Sequence, residues 1–71
     1  PSLNIFNLEI KINTETEILV TNVIGEQVHF ESIQSFGKYN TQIDLSDFSK
    51  GIYNITIKNS DMISIHKLIL Q

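Results

Sequence analysis

The chain has 71 residues, of which 41% are hydrophobic and 18% charged, a composition that builds one small core and excludes a disordered tail. At that length only about 60% of the unfolded surface can be buried, so an active-site cleft cut through the core would be costly and a complete enzyme is not expected. Cysteine is absent, which removes disulfide scaffolds, thiolate metal sites and thiol nucleophiles, and a net charge of -3 with no Arg argues against nucleic acid as a partner.

No apolar run approaches the roughly 18 residues that span a bilayer, and no basic-then-apolar leader opens the chain, so membrane insertion is not expected. Pro1 stands where an initiator Met would, and the chain therefore reads as one domain, residues 1–71, excised from a longer precursor.

Thirteen residues are Ile and none is Ala, the inventory of a strand former, because β-branched side chains pack well on a pleated surface. Residues 2–6 and 8–12 read as the first two strands: Leu3 and Ile5 share one face, whereas Leu8, Ile10 and Ile12 fall out of phase, so a bend or sheet switch is expected near Phe6-Asn7. The polar turn Asn13-Thr14-Glu15-Thr16 leads to a strand near 17–22, and Asn22-Val23-Ile24-Gly25 places Asn and Gly at the first and fourth positions of a type I turn.

Strands follow near 27–33 and 39–45, separated by a turn at Ser35-Phe36-Gly37-Lys38. Ser46-Asp47-Phe48-Ser49-Lys50 reads as one helical turn capped by Ser46 and stopped at Gly51. In the strand near 52–58, Tyr53, Ile55 and Ile57 alternate with Asn54, Thr56 and Lys58. The last strand, 62–70, follows the turn Asn59-Ser60-Asp61, and its phase break between Ile63, Ile65 and Leu68, Leu70 calls for a β-bulge at His66-Lys67. Seven short, mainly antiparallel strands with turns every eight to twelve residues predict an all-β sandwich of immunoglobulin-like type.

The segment from Ile43 to Tyr53 has the layout of a tyrosine corner: a strand ends at Leu45, Phe48 plugs the underside, Gly51 permits the reversal, and Tyr53 sends its hydroxyl back to upstream backbone. This segment does not stand alone. The order Asn22-Val23-Ile24-Gly25-Glu26-Gln27-Val28, then Ile43-Asp44-Leu45-Ser46, then Gly51-Ile52-Tyr53, then Lys67-Leu68-Ile69-Leu70-Gln71 resembles the type A C-terminal sorting domain of the type IX secretion system of Bacteroidota. Members open with Pro-Asn-Pro, of which only Pro1-Ser2 could be the end here.

The resemblance implies a small immunoglobulin-like sandwich at the C-terminus of secreted cargo. It implies a folded address that crosses the periplasm, meets the outer-membrane translocon, and is removed by a sortase-like protease at the cell surface. It implies no catalysis and no cofactor. It also implies that Lys67, Leu68, Ile69, Leu70 and Gln71 form a recognition element; Gly25, Leu45, Phe48, Gly51 and Tyr53 read as structural residues of the turn and the corner in their own right. The same terminal residues have a plainer reading as a last strand, with Leu68 and Leu70 in the core and Lys67 guarding an edge.

Other chemistry finds little support. His29 and His66 are the only imidazoles, and His66 beside Lys67 reads as a solvent-facing edge residue rather than a metal ligand. Asp44, Asp47 and Asp61 form no regular calcium loop, and Asp44 and Asp47 read as turn and cap residues. Asn54-Ile55-Thr56 fits the glycosylation pattern but lies in a regular strand. Tyr39 with Phe36 reads as satellite core packing. A second function class stays open at this stage, an immunoglobulin-like or fibronectin-like accessory module for adhesion or glycan binding.

Overall fold

The structure is a computed structural model and describes residues 4–71. Six strands form, β1 (Ile5–Ile12), β2 (Thr16–Thr21), β3 (Gln27–Ile33), β4 (Gly37–Asp44), β5 (Gly51–Asn59) and β6 (Ile63–Leu70), with no helix among the described residues. They make two antiparallel sheets, β1-β4 and β3-β2-β5-β6. Two hairpins, β2-β3 and β5-β6, stay within the larger sheet, while the links after β1, β3 and β4 carry the chain from one sheet to the other.

The sheets share one core. Ile12 and Ile43 from the smaller sheet pack with Ile18, Val20, Ile33, Tyr53, Ile55 and Leu70 from the larger one, and Leu45 joins them from the link between β4 and β5. A shortest dimension of 15 Å suits two layers about 10 Å apart with their outward side chains.

Two expected irregularities are absent. β1 is a single strand whose register against β4 runs from Ile5↔Asp44 to Ile12↔Gly37 without a shift, so the count is six rather than seven and no bend occurs at Phe6-Asn7. The inward set is Phe6, Leu8, Ile10 and Ile12, and Ile5 takes the opposite face, as strict alternation requires. The sheet switch comes after Ile12 instead, at residues 13–15. Leu3, used to argue for the break, lies outside the described residues.

Likewise β6 pairs with β5 from Lys58↔Ile63 to Gly51↔Leu70 in unbroken register, with no bulge at His66-Lys67. Leu68 and Leu70 reach the core because Ile63 and Ile65 point outward, where both stay exposed. The one register shift in the larger sheet lies between Val20 and Thr21, beside the Asn22 turn.

That turn is built by Asn22. Its Oδ1 accepts from the Ile24 N–H at 3.1 Å and the Glu26 N–H at 2.9 Å, its carbonyl accepts from the Gly25 N–H at 3.1 Å, and Gly25 takes a φ of 87°.

The link between β4 and β5 is a turn, not a helical one. The Phe48 N–H donates to the Leu45 carbonyl at 3.0 Å, and the capping oxygen belongs to Asp44, whose Oδ1 accepts from the Ser46 N–H at 2.9 Å and the Ser46 hydroxyl at 2.6 Å. Those two bonds hold the Asp44 carboxyl below its ordinary value. Phe48 is 39% exposed and does not plug the link; Leu45, at 1%, fills that role.

Gly51 begins β5 at φ 146°, a region that side chains with a Cβ avoid. A Cβ there would meet no atom within 4 Å, so the strain of a substitution is torsional. Gly51→Val is therefore expected to lower stability by about 1–3 kcal/mol with the fold retained. A urea melt reads the shift, and a midpoint equal to the parent's would mean that the backbone relaxes to negative φ.

Candidate functional site

The corner closes as its sequence suggests. The Tyr53 hydroxyl donates to the Ser49 carbonyl at 2.7 Å, which ties the first turn of β5 to the loop that enters it, while the Tyr53 ring lies buried on the inward face. Once Gly51 and Tyr53 are placed, antiparallel pairing puts Leu70 opposite Gly51, Ile69 opposite Ile52 and Leu68 opposite Tyr53. The corner thus positions the terminal segment.

Within that segment the side chains divide by face. Leu70 is buried and Leu68 packs partly buried against the core, whereas Lys67, Ile69 and Gln71 are exposed. Among the described residues β6 is an edge strand, paired with β5 alone. Lys67 stands opposite Asn54 on the outward face, and Ile69 stands opposite Ile52, which is also exposed.

The two sheets differ in their outward faces. On β1 and β4 the outward positions include Asn7, Glu9, Lys11, Lys38, Asn40 and Gln42, with a 3.8 Å ion pair from Lys38 to Glu9. On the larger sheet a continuous cross-strand row, Phe30-Leu19-Thr56-Ile65, is largely apolar, and Ile52, Ile63 and Ile69 flank it. Ile65 is 65% exposed. The hairpin tip adds Val23 and Ile24, both mostly exposed. Sequence reasoning missed this face because alternation shows that two sets exist without showing which one is inside.

A second cluster, which the sequence did not signal, joins the sheets. Glu31 on β3 points inward and accepts from the Tyr39 hydroxyl at 2.6 Å and the Thr41 hydroxyl at 2.8 Å, both on β4, and His29 Nε2 lies 2.8 Å from its other side. Burial pushes the Glu31 carboxyl up, but hydrogen bonds from Tyr39, His29 and Thr41 and the attraction of His29 outweigh it, leaving the group below its ordinary value of 4.5. The bond to Glu31, with burial and the carboxylate's charge, raises the Tyr39 phenol above 10.0. Tyr39 is thus engaged within the sandwich, while Phe36 is exposed and forms no core satellite with it.

His66 is exposed, in line with its edge position, although its register places it on the inward side. Among the described residues no group of three or more His, Cys, Asp or Glu side chains is placed to hold a metal ion.

A family model described as "Secretion system C-terminal sorting domain" matches residues 1–71. The chain belongs to that family, the sorting domains of type IX secretion. No curated protein and no solved structure matches it. The sorting domain is a C-terminal signal for type IX secretion, which directs a protein to the cell surface or the extracellular space, and the family is not one of enzymes. The accessory-module reading has no such support.

The Glu31 cluster of this sorting domain predicts a defined pH response. A carboxyl whose folded value is depressed contributes stability above its unfolded value, and that contribution is lost as pH falls through the folded value. The parent's stability advantage over Glu31→Gln should therefore be present at neutral pH and shrink below about pH 4.5. The raised Tyr39 phenol works in the opposite sense, so stability should also fall as pH rises above about 10. Denaturant midpoints across pH test both, and parallel profiles for parent and variant would show that Glu31 contributes nothing to the acid limb.

Proposed function

We propose that the chain is the last domain of a longer precursor and carries the cargo upstream of it from the periplasm through the outer-membrane translocon. The carrying observation is the family match over residues 1–71. A surface sortase-like protease then removes the domain, and its partners are that protease, the translocon and the attached cargo. The proposed recognition element is Lys67-Leu68-Ile69-Leu70-Gln71. Support for it comes from the split in that segment: Leu70 completes the core, while Lys67, Ile69 and Gln71 present their side chains at a sheet edge. An address of this build reports on folding, because its outward residues take their places only when Leu68 and Leu70 pack.

Fused to the C-terminus of a soluble periplasmic reporter in a host with type IX secretion, the chain is expected to carry the reporter outside the cell. Deleting residues 67–71 should abolish export, but it also removes Leu70, whose loss from a core costs about 2–5 kcal/mol and can unfold the sandwich. Lys67→Ala is the sharper probe, since an exposed edge Lys adds little stability. Retention of the folded Lys67→Ala reporter in the periplasm supports direct reading of the strand. Normal export of that variant removes Lys67 from the recognised surface. Retention of the intact fusion while the host's own cargo passes overturns the sorting role.

A further inference from the structure

The exposed large apolar side chains of the larger sheet all lie on its outward face, and the register sets them in an ordered pattern. Three rows cross all four strands: Ser32-Glu17-Lys58-Ile63, then Phe30-Leu19-Thr56-Ile65, then Gln27-Thr21-Asn54-Lys67. A shorter row, Ile52-Ile69, follows at the end of the sheet where β2 turns into β3 and the hairpin tip shows Val23 and Ile24. Phe30, the four Ile residues and these two tip residues are 44–76% exposed. They leave about 700 Å² of apolar surface in water, more than most monomers tolerate and close to the roughly 800 Å² that each partner brings to a stable interface.

The face also matches itself. A half-turn about an axis that lies along the strands, between β2 and β5, exchanges β2 with β5 and β3 with β6. Two copies facing each other about that axis set Phe30 over Ile65, Leu19 over Thr56 and Glu17 over Lys58 of the second copy, with Ser32 over Ile63 at the rim. The third row sets neutral Gln27 over Lys67, so no like charges meet. The hairpin tip of one copy then lies at the Ile52-Ile69 end of the other. Glu17 and Lys58 stand opposite each other within one sheet yet form no ion pair among the described residues, which leaves both charges open to a second copy.

The other in-plane half-turn, about an axis across the strands, sets Lys67 over Ile65 and Lys58 over Ile52 and would bury two ammonium groups against apolar side chains. Only the axis along the strands pairs apolar with apolar and acid with base at once. That axis also gives the aligned face-to-face packing found inside sandwiches. A different polypeptide needs only the apolar surface, whereas charges balanced about a two-fold are what a copy needs.

We propose that the outward face of β3-β2-β5-β6 is an isologous dimer interface, occupied by the same face of a second copy of this chain about a two-fold axis along the strands. The pairing does not rest on the export reading, and it is measured without the secretion machinery.

Sedimentation equilibrium of the 71-residue chain is expected to show monomer and dimer with a dissociation constant below about 100 µM. Ile65→Lys, at an exposed position, should weaken the dimer at least about tenfold by placing a charge in its centre, while the urea midpoint of the dilute monomer stays unchanged. Glu17→Lys and Lys58→Glu each set like charges over one another twice, and each alone should weaken self-association about tenfold or more. Mixed together, the two variants should pair with each other and recover the parent's affinity, because Lys at 17 then meets Glu at 58 and Glu17 meets Lys58. No contact within a single chain produces that reciprocal rescue.

A chain that remains monomeric at about 1 mM overturns the proposal. So does a dimer that Ile65→Lys leaves intact, since it would use another face. Charge variants that pair no better mixed than alone remove the two-fold, and with it the case for a second copy.

Discussion

The structure depends on the crossover between β4 and β5. There the chain leaves the two-stranded sheet at Asp44 and enters the middle of the four-stranded sheet at Gly51, within six intervening residues. Three local features make so short a passage possible: the Asp44 carboxylate gathers the Ser46 N–H and hydroxyl, Gly51 accepts a backbone angle that other residues adopt only under strain, and the Tyr53 hydroxyl holds the Ser49 carbonyl. β5 is then the template for β2 on one side and β6 on the other, so an error of one residue at the crossover would turn Ile55 and Leu70 out of the core together.

The mismatch between two strands and four gives the sandwich two unlike sides. On the side of β3 and β4, Glu31 reaches across the layers to Tyr39 and Thr41, and polar hydrogen bonds close the sheets. On the side of β1 and β6 the closure is apolar and incomplete. A polar closure is sensitive to protonation and worth keeping only when each partner is present, since a carboxylate left unpaired between sheets costs more than it contributes. The apolar side has no such requirement and leaves its residues half-buried.

A sorting signal gains from being a fold rather than a peptide. The exposed apolar residues of the larger sheet, Ile52, Ile65 and Ile69 among them, lie side by side only when β5 and β6 are paired, and Leu70 is buried only when both sheets are in place. Membership of the type IX sorting-domain family, which is not a family of enzymes, supplies the biological setting.

The all-β class, the Asn22 turn, the corner at Gly51 and Tyr53, and the family itself were legible from the sequence alone. Each rests on local chemistry: Ile favours pleated backbone, Asn caps a turn with its own oxygen, Gly alone takes a positive φ at no cost, and motif order needs no coordinates. Only the tertiary structure decided which of two alternating sets faces inward. The phase breaks between Ile5 and Leu8 and between Ile65 and Leu68 call for a bend and a bulge if both apolar sets of each strand are to share one buried face. The fold instead keeps both strands regular and leaves Ile63, Ile65 and Ile69 in solvent. The same holds for Glu31 with Tyr39 and Thr41, eight and ten residues apart in the chain. Periodicity is a property of one strand, whereas burial is a property of the strand opposite, and no single strand's sequence states what will lie across from it.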